Sequence, residues 1–430
     1  MRNGVKILGI IVMLLLGQAP TEIAVAISLA ECTKDSDPSP LTFINPVACG
    51  TYGEVTTRTS DPGQPIVIRF MKHVPAGTPK AVAVLFAGGN LNTGIQGNAA
   101  TGVLTAAGAN FLVRSAQIFA DDGILAIALN RPLILTAPGP PPVFDPEYPG
   151  ESGAAADRYR ISPKHAFDIV RTLAVAAPAT LPLFLVGTSR GTLSAAANHA
   201  LGNGILLSSP VTSGTLVNAC PAPGAPCPPY WIGHPSVPEL APGGVARPAH
   251  VMAHKQDGCP VTVPSDAEAL HITLKAAGVD TRFDQVNGGF DLVGIDPLVD
   301  VCDAKTHHGY LGMENKAVRE ITKRIDELLG ELRRRFRNNQ RPVAGTSTII
   351  GAPFTVSLPS LVTNPDGDPL TFALPNPQSY RGQDLALSAT GTVTYTPPAA
   401  PPVGFTDGFV YVVSDGKGGI SAGYVTVNLP

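Results

Sequence analysis

The first group in this sequence that could act as a nucleophile is a serine flanked by glycines. Gly187-Thr188-Ser189-Arg190-Gly191 follows an almost continuously apolar run, Leu181–Val186, and precedes a helical pattern. A serine hydroxyl needs exposure, a base and hydrogen-bond donors for the oxyanion that it creates. A sharp strand–Ser–helix turn would expose the Ser189 hydroxyl and aim the backbone N–H of Arg190 at the developing charge. We therefore expect Ser189 to be a nucleophile.

A general base and the acid that orients it are expected later in the chain, in the order Ser, acid, His. Asp257 comes just after the apolar run Ala249–Ala253, which places it at the same sheet edge as Ser189. His308 lies in a loop before the last long helical pattern. We expect His308 to be the base and Asp257 its orienting acid, with His307 as an alternative base. Alternative acids lie on the loop that leads to the histidine: Asp296, Asp300 and Asp303.

A second donor for the oxyanion should come from the loop after an early strand. The run Ala81–Phe86 leads into Ala87-Gly88-Gly89-Asn90, where backbone without side chains can approach a substrate. We expect a backbone N–H of Gly89 or Asn90 to be this donor. Gly-Gly turns also occur for purely geometric reasons.

The elements that would position these groups alternate between strand and helix from residue 32 to 337. The predicted strands are Ile66–Met71, Ala81–Phe86, Ile124–Leu129, Leu183–Val186, Ile205–Ser208, Ala249–Ala253 and Thr281–Val286. The predicted helices are Pro163–Ala176, Gly191–Leu201, Ser265–Ala277 and Gly312–Phe336. Such alternation predicts an α/β fold with a mostly parallel sheet and helices on both faces.

The pattern changes after a linker that we predict at residues 338–342. Residues 343–430 contain no Cys or His, and their short alternating runs are separated by Gly, Pro and Asp turns. This punctuation indicates a small all-β sandwich domain. Acid–base chemistry near neutral pH should therefore belong to residues 32–337. A chain that ends near Gln340 is expected to fold and to keep its activity.

The N-terminus has the layout of a secretory signal peptide, predicted over residues 1–26. Two basic residues precede the apolar run Ile7–Leu16, and Ala24-Val25-Ala26 offers a cleavage site. A membrane anchor is the alternative, but a span needs ~20 mostly apolar residues, and Pro20 and Glu22 interrupt the run. We expect an exported protein without a membrane span after signal removal, in the periplasm, outside the cell or at its surface.

The charge balance bears on the class of partner. Charged residues make up 15% of the chain and the net charge is −3. A nucleic-acid-binding protein would normally show a basic excess. We therefore expect no nucleic-acid partner.

All six cysteines follow the predicted signal peptide. An even number in an exported chain favours disulfides over metal ligation. If Asp257 contacts His308, the loops that carry Cys259 and Cys302 are brought together, so we predict a Cys259–Cys302 disulfide. The remaining pairs would be Cys32–Cys49 and Cys220–Cys227.

Residues 211–246 form a Pro-rich insertion between two predicted strands. A cap-like segment there would overhang the Ser189 edge of the sheet. We expect Tyr230 and Trp231 to line part of the substrate pocket. A rigid surface loop without substrate contact is an equally open alternative.

Three segments in this order resemble exported bacterial α/β-hydrolases over roughly residues 50–335: Gly187-Thr188-Ser189-Arg190-Gly191, Asp257-Gly258-Cys259 and His308-Gly309-Tyr310. The resemblance implies a doubly wound, mostly parallel sheet. It also implies a serine esterase with a catalytic triad and no required cofactor. Phe86-Ala87-Gly88-Gly89-Asn90 stands in place of the lipase-type His-Gly-Gly-Gly motif. This departure argues against a dedicated lipase and leaves the substrate open. We expect a small-molecule or polymeric ester. A peptidase or amidase of the same fold is the alternative.

Residues 343–430 resemble the cadherin-like or Ig-like modules of bacterial surface proteins. The segments that carry this resemblance are Asn364–Leu370, Gly391–Pro397 and Tyr411–Gly419. It implies contact with a cell surface or matrix and a possible structural Ca²⁺ near Asp366 and Asp368. Turn chemistry alone would also explain these two carboxylates. A non-catalytic binding or adhesion protein that works through this module is the alternative from another class.

Overall fold

The computed structural model describes residues 50–59, 63–134, 143–144, 153–212, 216–218, 229–231, 236–240, 247–351 and 354–429. The predicted signal peptide and the predicted pairs Cys32–Cys49 and Cys220–Cys227 lie outside these residues. Within the described ranges, no helix is both long enough and apolar enough to cross a bilayer.

The first part of the chain, up to Arg335, alternates strands and helices. Its strands are β1 (Thr51–Thr59), β2 (Pro65–His73), β3 (Ala81–Phe86), β4 (Gln96–Asn98), β5 (Val103–Ala106), β6 (Ile124–Ile134), β7 (Val143–Phe144), β8 (Leu183–Thr188), β9 (Gly204–Ser208), β10 (Leu216–Asn218), β11 (Pro229–Trp231), β12 (Ala249–His254) and β13 (Thr281–Val286). Its α-helices are α1 (Phe111–Arg114), α2 (Ala116–Asp121), α3 (Gly153–Arg160), α4 (Pro163–Ala176), α5 (Gly191–Ala197), α6 (Val237–Leu240), α7 (Pro264–Ala276) and α8 (Glu314–Arg335). Short 3₁₀ turns occupy His199–Leu201 and His307–Gly309.

One large sheet holds all of these strands except the β10–β11 hairpin. Its order is β13-β12-β9-β8-β3-β6-β2-β1-β5-β4, with β7 paired to β6. The six strands from β13 to β6 run parallel, and the strands beyond them pair antiparallel. The predicted mostly parallel sheet is therefore confirmed. The carboxyl ends of β3, β8 and β12 meet at one edge, where the chain continues into the glycine loop, Ser189 and Asp257.

Apolar residues cover both faces of this sheet. On one face the buried cluster includes Phe167 of α4, Leu193 of α5 and Leu270 of α7. On the other face it includes Phe119 of α2 and Ile321 of α8. Helices on both faces make the sheet doubly wound, as predicted.

The C-terminal part is all β. Its strands are β14 (Val343–Ala344), β15 (Thr346–Ile350), β16 (Thr355–Ser357), β17 (Val362–Thr363), β18 (Thr371–Ala373), β19 (Leu385–Leu387), β20 (Thr392–Tyr395), β21 (Thr406–Ser414) and β22 (Ile420–Asn428), with a 3₁₀ turn at Leu358–Leu361. A four-stranded sheet, β15-β22-β21-β18, and a three-stranded sheet, β16-β20-β19, contribute to one core. That core contains Phe409 and Val425 from the larger sheet and Val393 from the smaller. The predicted β-sandwich is confirmed.

The two parts share apolar contacts across α4. The Phe167 ring lies 4.9 Å from that of Tyr380 and 5.7 Å from that of Tyr424, measured between ring centroids. Val412 and Ile420 of the β domain belong to the same buried cluster as Phe167. A chain that ends near Gln340 would expose this apolar surface of α4 to water. This exposure argues against the prediction that such a shortened chain folds on its own, which stays a prediction.

Candidate active site

Ser189 lies at the tight turn between β8 and α5. Its φ angle is +52°, a left-handed conformation that is strained for a residue with a side chain. Neighbouring glycines make the turn possible: a Cβ atom on Gly187 would collide with the Gly191 carbonyl, and one on Gly191 would collide with the Phe86 carbonyl. Ser189 itself is partly exposed. This local geometry is that of a nucleophile elbow.

Asp257 and His308 lie together at the same sheet edge. His308 Nδ1 is 3.0 Å from Asp257 Oδ2 and 3.2 Å from Oδ1. The two side chains are 4% and 0% exposed. Asp257 also accepts hydrogen bonds from the Cys259 N–H at 2.9 Å and the Thr262 hydroxyl at 3.0 Å.

The electrostatics of this pair favour an ionised aspartate. Burial raises the pKa of Asp257, but the charge and hydrogen bond of His308, together with the Cys259 and Ser209 donors, outweigh that effect. The pKa of Asp257 is therefore below its ordinary value. A carboxylate that stays ionised can hold the Nδ1 proton of His308, which leaves Nε2 as the basic nitrogen.

The end of β9 lies between Ser189 and His308. The Ser189 N–H donates to the Ser208 carbonyl at 3.0 Å, and the Ser209 hydroxyl lies 3.4 Å from the His308 carbonyl oxygen. Within the part of the chain that the structure describes, no hydrogen bond joins the Ser189 hydroxyl to the His308 ring. Such contacts often shorten only in the substrate complex.

The alternative base is engaged elsewhere. The His307 ring stacks on His254 with centroids 4.6 Å apart, and His307 Nδ1 lies 3.1 Å from Asp291. His254 in turn contacts the Gly288 carbonyl through Nε2 at 2.8 Å. The structure thus gives His307 a different acid from the one that contacts His308.

The alternative acids accept hydrogen bonds from their own loop. The carboxylates concerned and their backbone N–H donors are Asp296 with Leu298, Asp300 with Cys302, and Asp303 with Lys305. Each pair spans two residues, which is ordinary turn chemistry. Among the described residues, the His308 ring bonds only to Asp257 and Thr262.

Three further contacts hold the loop that carries His308. The predicted Cys259–Cys302 disulfide is confirmed, with Cα atoms 4.8 Å apart, and it joins this loop to the Asp257 turn. Thr262 is fully buried, and its hydroxyl lies 3.1 Å from His308 Nδ1 as well as bonding Asp257. The sequence gives no signal for this role of Thr262, because its contact depends on how the turn after Cys259 folds.

The third contact is a buried arginine on α1. Arg114 donates to the Gly309 carbonyl at 2.6 Å and to the Ala304 carbonyl at 3.1 Å. Its Nε lies 2.9 Å from Glu314, at the start of α8. The backbone on both sides of His308 is therefore bound to one guanidinium.

The predicted oxyanion donors lie on the loop after β3. We call Ala87–Asn90 the glycine loop. A Cβ atom on Gly88 would come within 2.9 Å of the Ser189 Cβ, so this loop packs directly against Ser189. Gly89 is exposed and has a φ of +62°, and the Asn90 side chain accepts a hydrogen bond from the Asn92 N–H. The backbone N–H of Arg190, the other expected donor, lies at the start of α5.

The remaining predicted site residues are Tyr230, Trp231, Asp366 and Asp368. The backbones of Tyr230 and Trp231 form β11, paired with β10, and their side chains lie outside the described residues. In the β domain, Asp366 accepts a hydrogen bond from the Gln340 N–H, and Asp368 forms an ion pair with Lys417 at 2.6 Å. Within the described residues, no group of three or more His, Cys, Asp or Glu side chains could hold a metal ion. The calcium site stays a prediction.

Comparison with known proteins covers both parts of the chain. Residues 339–428 match the family model of the bacterial Ig domain. A search of curated proteins finds no match at the level of sequence.

Solved structures similar to this chain include three bacterial hydrolases. A lidless α/β serine hydrolase from Xanthomonas campestris is 13% identical, with a TM-score of 0.35, over 64% of this chain and 95% of that one. An esterase from Mycobacterium marinum is 18% identical, with a TM-score of 0.35, over 63% and 82%. A thermostable carboxyl esterase from Bacillus coagulans is 11% identical, with a TM-score of 0.38, over 65% and 99%.

The architecture itself defines the fold class. A doubly wound, mostly parallel sheet with a strand–Ser–helix elbow, followed in sequence by an acid and then a histidine at the same edge, is the α/β-hydrolase arrangement. A bacterial Ig domain follows it.

Proposed function

We propose that this protein is an exported serine hydrolase that cleaves carboxylic esters through an acyl-enzyme. The observation that carries the proposal is the buried Asp257–His308 pair. It lies at the edge where Ser189 adopts a strained, partly exposed conformation. Strain of this kind at a polar residue is typical of functional sites.

In the first half of the reaction, Ser189 Oγ attacks the ester carbonyl carbon while His308 Nε2 takes the hydroxyl proton. Asp257 holds the Nδ1–H and stabilises the imidazolium that forms. The carbonyl electron pair moves to oxygen, where the N–H groups of Arg190 and of Gly89 or Asn90 stabilise the oxyanion. Collapse of this intermediate breaks the bond to the alkoxide, which takes the proton from His308.

In the second half, water replaces the alcohol. His308 takes a proton from the water as it attacks the acyl carbon, and the same N–H groups stabilise the second oxyanion. The bond to Ser189 Oγ then breaks, and His308 returns the proton to the serine. The carboxylic acid leaves, and the residues return to their starting protonation states.

The test is hydrolysis of p-nitrophenyl esters of increasing chain length, with p-nitroanilides of the same acyl groups measured in parallel. Ser189→Ala should lower ester turnover by about 10⁴-fold or more, leaving catalysis from the oxyanion donors alone. Ser360→Ala, at an exposed serine of the β domain, is the matched control and should keep full activity. Wild-type turnover by Ser189→Ala would contradict the proposal. Faster cleavage of anilides than of esters would favour the peptidase or amidase alternative.

Export and the role of the β domain belong to the same proposal. A bacterial Ig domain and a disulfide are both consistent with a protein outside the cytoplasm. We propose that the β domain contacts the cell surface or matrix and thereby places the hydrolase there. Binding of the purified chain to whole cells, and its loss upon deletion of residues 343–430, would test that role.

A further inference from the structure

Arg160, at the end of α3, lies directly behind the glycine loop. Its side chain is fully buried. Nη2 donates to the Ala87 carbonyl at 2.7 Å and lies 3.2 Å from the Gly89 carbonyl and 3.4 Å from that of Gly88. Nη1 donates to the Ser194 hydroxyl at 3.0 Å. One guanidinium therefore binds three consecutive carbonyls of the glycine loop and attaches them to α5, the helix that follows Ser189.

A buried carboxylate connects this arginine to the nucleophile turn. Asp157 is fully buried, and its two oxygens lie 3.8 Å from Arg160 Nε and 3.4 Å from Arg190 Nη1. Arg190 is the residue after Ser189, and its backbone N–H is the first expected oxyanion donor. The carboxylate of Asp157 thus lies between Arg160, which binds the glycine loop, and Arg190, which follows Ser189.

The contacts of Arg160 determine which way the peptide groups of the glycine loop face. In a planar trans peptide, the C=O of one residue and the N–H of the next point in opposite directions. Because the carbonyls of Ala87, Gly88 and Gly89 face Arg160 in the interior, the N–H groups of Gly88, Gly89 and Asn90 point away from it. Gly88 packs against Ser189, so the loop that carries these N–H groups lies directly beside Ser189.

We propose that Arg160 is a positioning residue that pre-orients the glycine loop as the second half of the oxyanion hole. The inference rests on the proposed function and goes beyond it, because it assigns a role to a side chain that touches neither substrate nor triad. A planar fork with several fixed donors can bind adjacent carbonyls together, whereas a lysine ammonium at the end of a flexible stem cannot hold them in one geometry. Loss of the guanidinium should therefore weaken transition-state binding more than substrate binding.

The experiment compares a substrate with a mimic of the tetrahedral intermediate. An alkyl trifluoromethyl ketone reacts reversibly: Ser189 Oγ bonds to the ketone carbon, the carbonyl pair becomes an oxyanion, and the serine proton passes to His308. Arg160→Met should lower kcat by about 10²–10³-fold and Arg160→Lys by about 10-fold or more, with KM changed by less than about threefold. The Ki of the ketone should rise by the same factor as kcat falls.

Arg58 provides the matched control. Its side chain is 1% exposed and pairs with Asp168 at 3.0 Å, a buried ion pair like that of Arg160. Arg58→Met should lower the unfolding temperature, whereas the ratio of ketone Ki to ester KM should stay at the wild-type value. The same ratio should rise in Arg160→Met and Arg160→Lys.

Three outcomes separate this inference from the proposed function. If the ketone does not inhibit wild type in a Ser189-dependent way, the proposed function is contradicted. If Arg160→Lys folds and keeps kcat and ketone Ki within about twofold of wild type, the inference alone is overturned. It is also overturned if the Arg160 variants lose no more activity than Arg58→Met does and their ratio of ketone Ki to ester KM stays unchanged.

If Arg160→Met fails to fold, Arg160→Lys and Ser194→Ala decide the question. Ser194→Ala removes only the attachment of Arg160 to α5 and should raise the ratio of ketone Ki to ester KM.

Discussion

The two sides of the candidate site are held in different ways. On the histidine side, the loop that carries His308 is held by a disulfide, by Thr262 and by Arg114. On the side of the expected oxyanion donors, Arg160 makes all the side-chain hydrogen bonds to the glycine-loop carbonyls that come from the described residues. The loop that carries His308 is thus held by several contacts of different kinds, and the loss of one of them should leave the others in place. Among the described residues, the orientation of the glycine-loop carbonyls thus depends on hydrogen bonds from one side chain.

The largest effect on the histidine side should come from the acid itself. In Asp257→Asn, the amide N–H₂ can face Nδ1 and favour the tautomer whose proton is on Nε2, which cannot accept the Ser189 proton. We expect ester kcat to fall by about 10⁴-fold with the fold intact, as checked by steady-state kinetics and thermal unfolding.

Asp291→Asn is the control for that measurement, because Asp291 pairs with the alternative base His307 at 3.1 Å. It should keep near wild-type activity. A large loss in Asp291→Asn together with a small loss in Asp257→Asn would transfer the acid–base assignment to the His307 pair.

The disulfide should matter more for stability than for chemistry. Cys259→Ala combined with Cys302→Ala opens a link between residues 43 positions apart in sequence. The free energy of unfolding should fall by about 3–4 kcal/mol in the chain-entropy description. Because Thr262 and Arg114 still hold the histidine loop, kcat should change by less than about tenfold. Denaturant titration and non-reducing peptide mapping check this, and a Cys259 peptide linked to any other cysteine would contradict the arrangement.

Thr262 should contribute a catalytic effect that is much smaller than that of Asp257. Thr262→Val keeps the shape of the side chain and removes the hydroxyl that donates to Asp257 at 3.0 Å. A hydrogen bond to a charged group is worth about 1.5–3 kcal/mol, so kcat should fall by about tenfold or somewhat more. Thr262→Ser restores the hydroxyl and should restore most of the activity. If both variants behave alike, the hydroxyl has no role in orienting His308.

What the sequence could predict here follows from short-range rules. The order Ser189, Asp257, His308 is set by strand ends at one edge of a parallel sheet, and the observed β3 and β13 have the predicted bounds. The disulfide follows from the same edge, because bringing Asp257 to His308 also brings Cys259 to Cys302. Each of these predictions depends on local pattern plus one known topological rule.

What the sequence could not predict depends on how loops pack. The segment Asp157-Arg158-Tyr159-Arg160 has three charged residues in four, a composition usual at a protein surface, yet Asp157 and Arg160 are fully buried. Their burial arises because α3 packs behind the glycine loop, a contact with residues more than 70 positions away. The sequence also predicts no strand at β1. Its nine residues include four threonines and two charged side chains, so the alternation of apolar and polar residues that indicates a strand is weak. Longer-range packing decides both cases.

The smallest expected effect is on the pH dependence of stability. It compares two buried carboxylates, Asp257 on the His308 side and Asp157 on the side of the glycine loop. The pKa of Asp257 is lowered: burial raises it, but His308 and several donors outweigh burial. The pKa of Asp157 is raised, because burial outweighs the attraction of Arg190 and Arg160. The ionised form is therefore favoured by folding at Asp257 and disfavoured at Asp157.

The signs of the two pH dependences follow from linkage. Asp257 contributes stability that is present above the unfolded pKa of 3.8 and lost as pH falls through its lower folded pKa. Asp157 contributes stability that is present below 3.8 and lost as pH rises through its higher folded pKa. A difference of one pH unit between the folded and unfolded pKa corresponds to about 1.4 kcal/mol.

Denaturation of wild type, Asp257→Asn and Asp157→Asn at about pH 3, 5 and 7 measures both slopes. The stability advantage of wild type over Asp257→Asn should grow with pH, and its advantage over Asp157→Asn should shrink. Slopes of the same sign would mean that the arginines around Asp157 lower its pKa, as His308 lowers that of Asp257. The two sides of the site would then differ in their contacts but not in the electrostatics of their carboxylates.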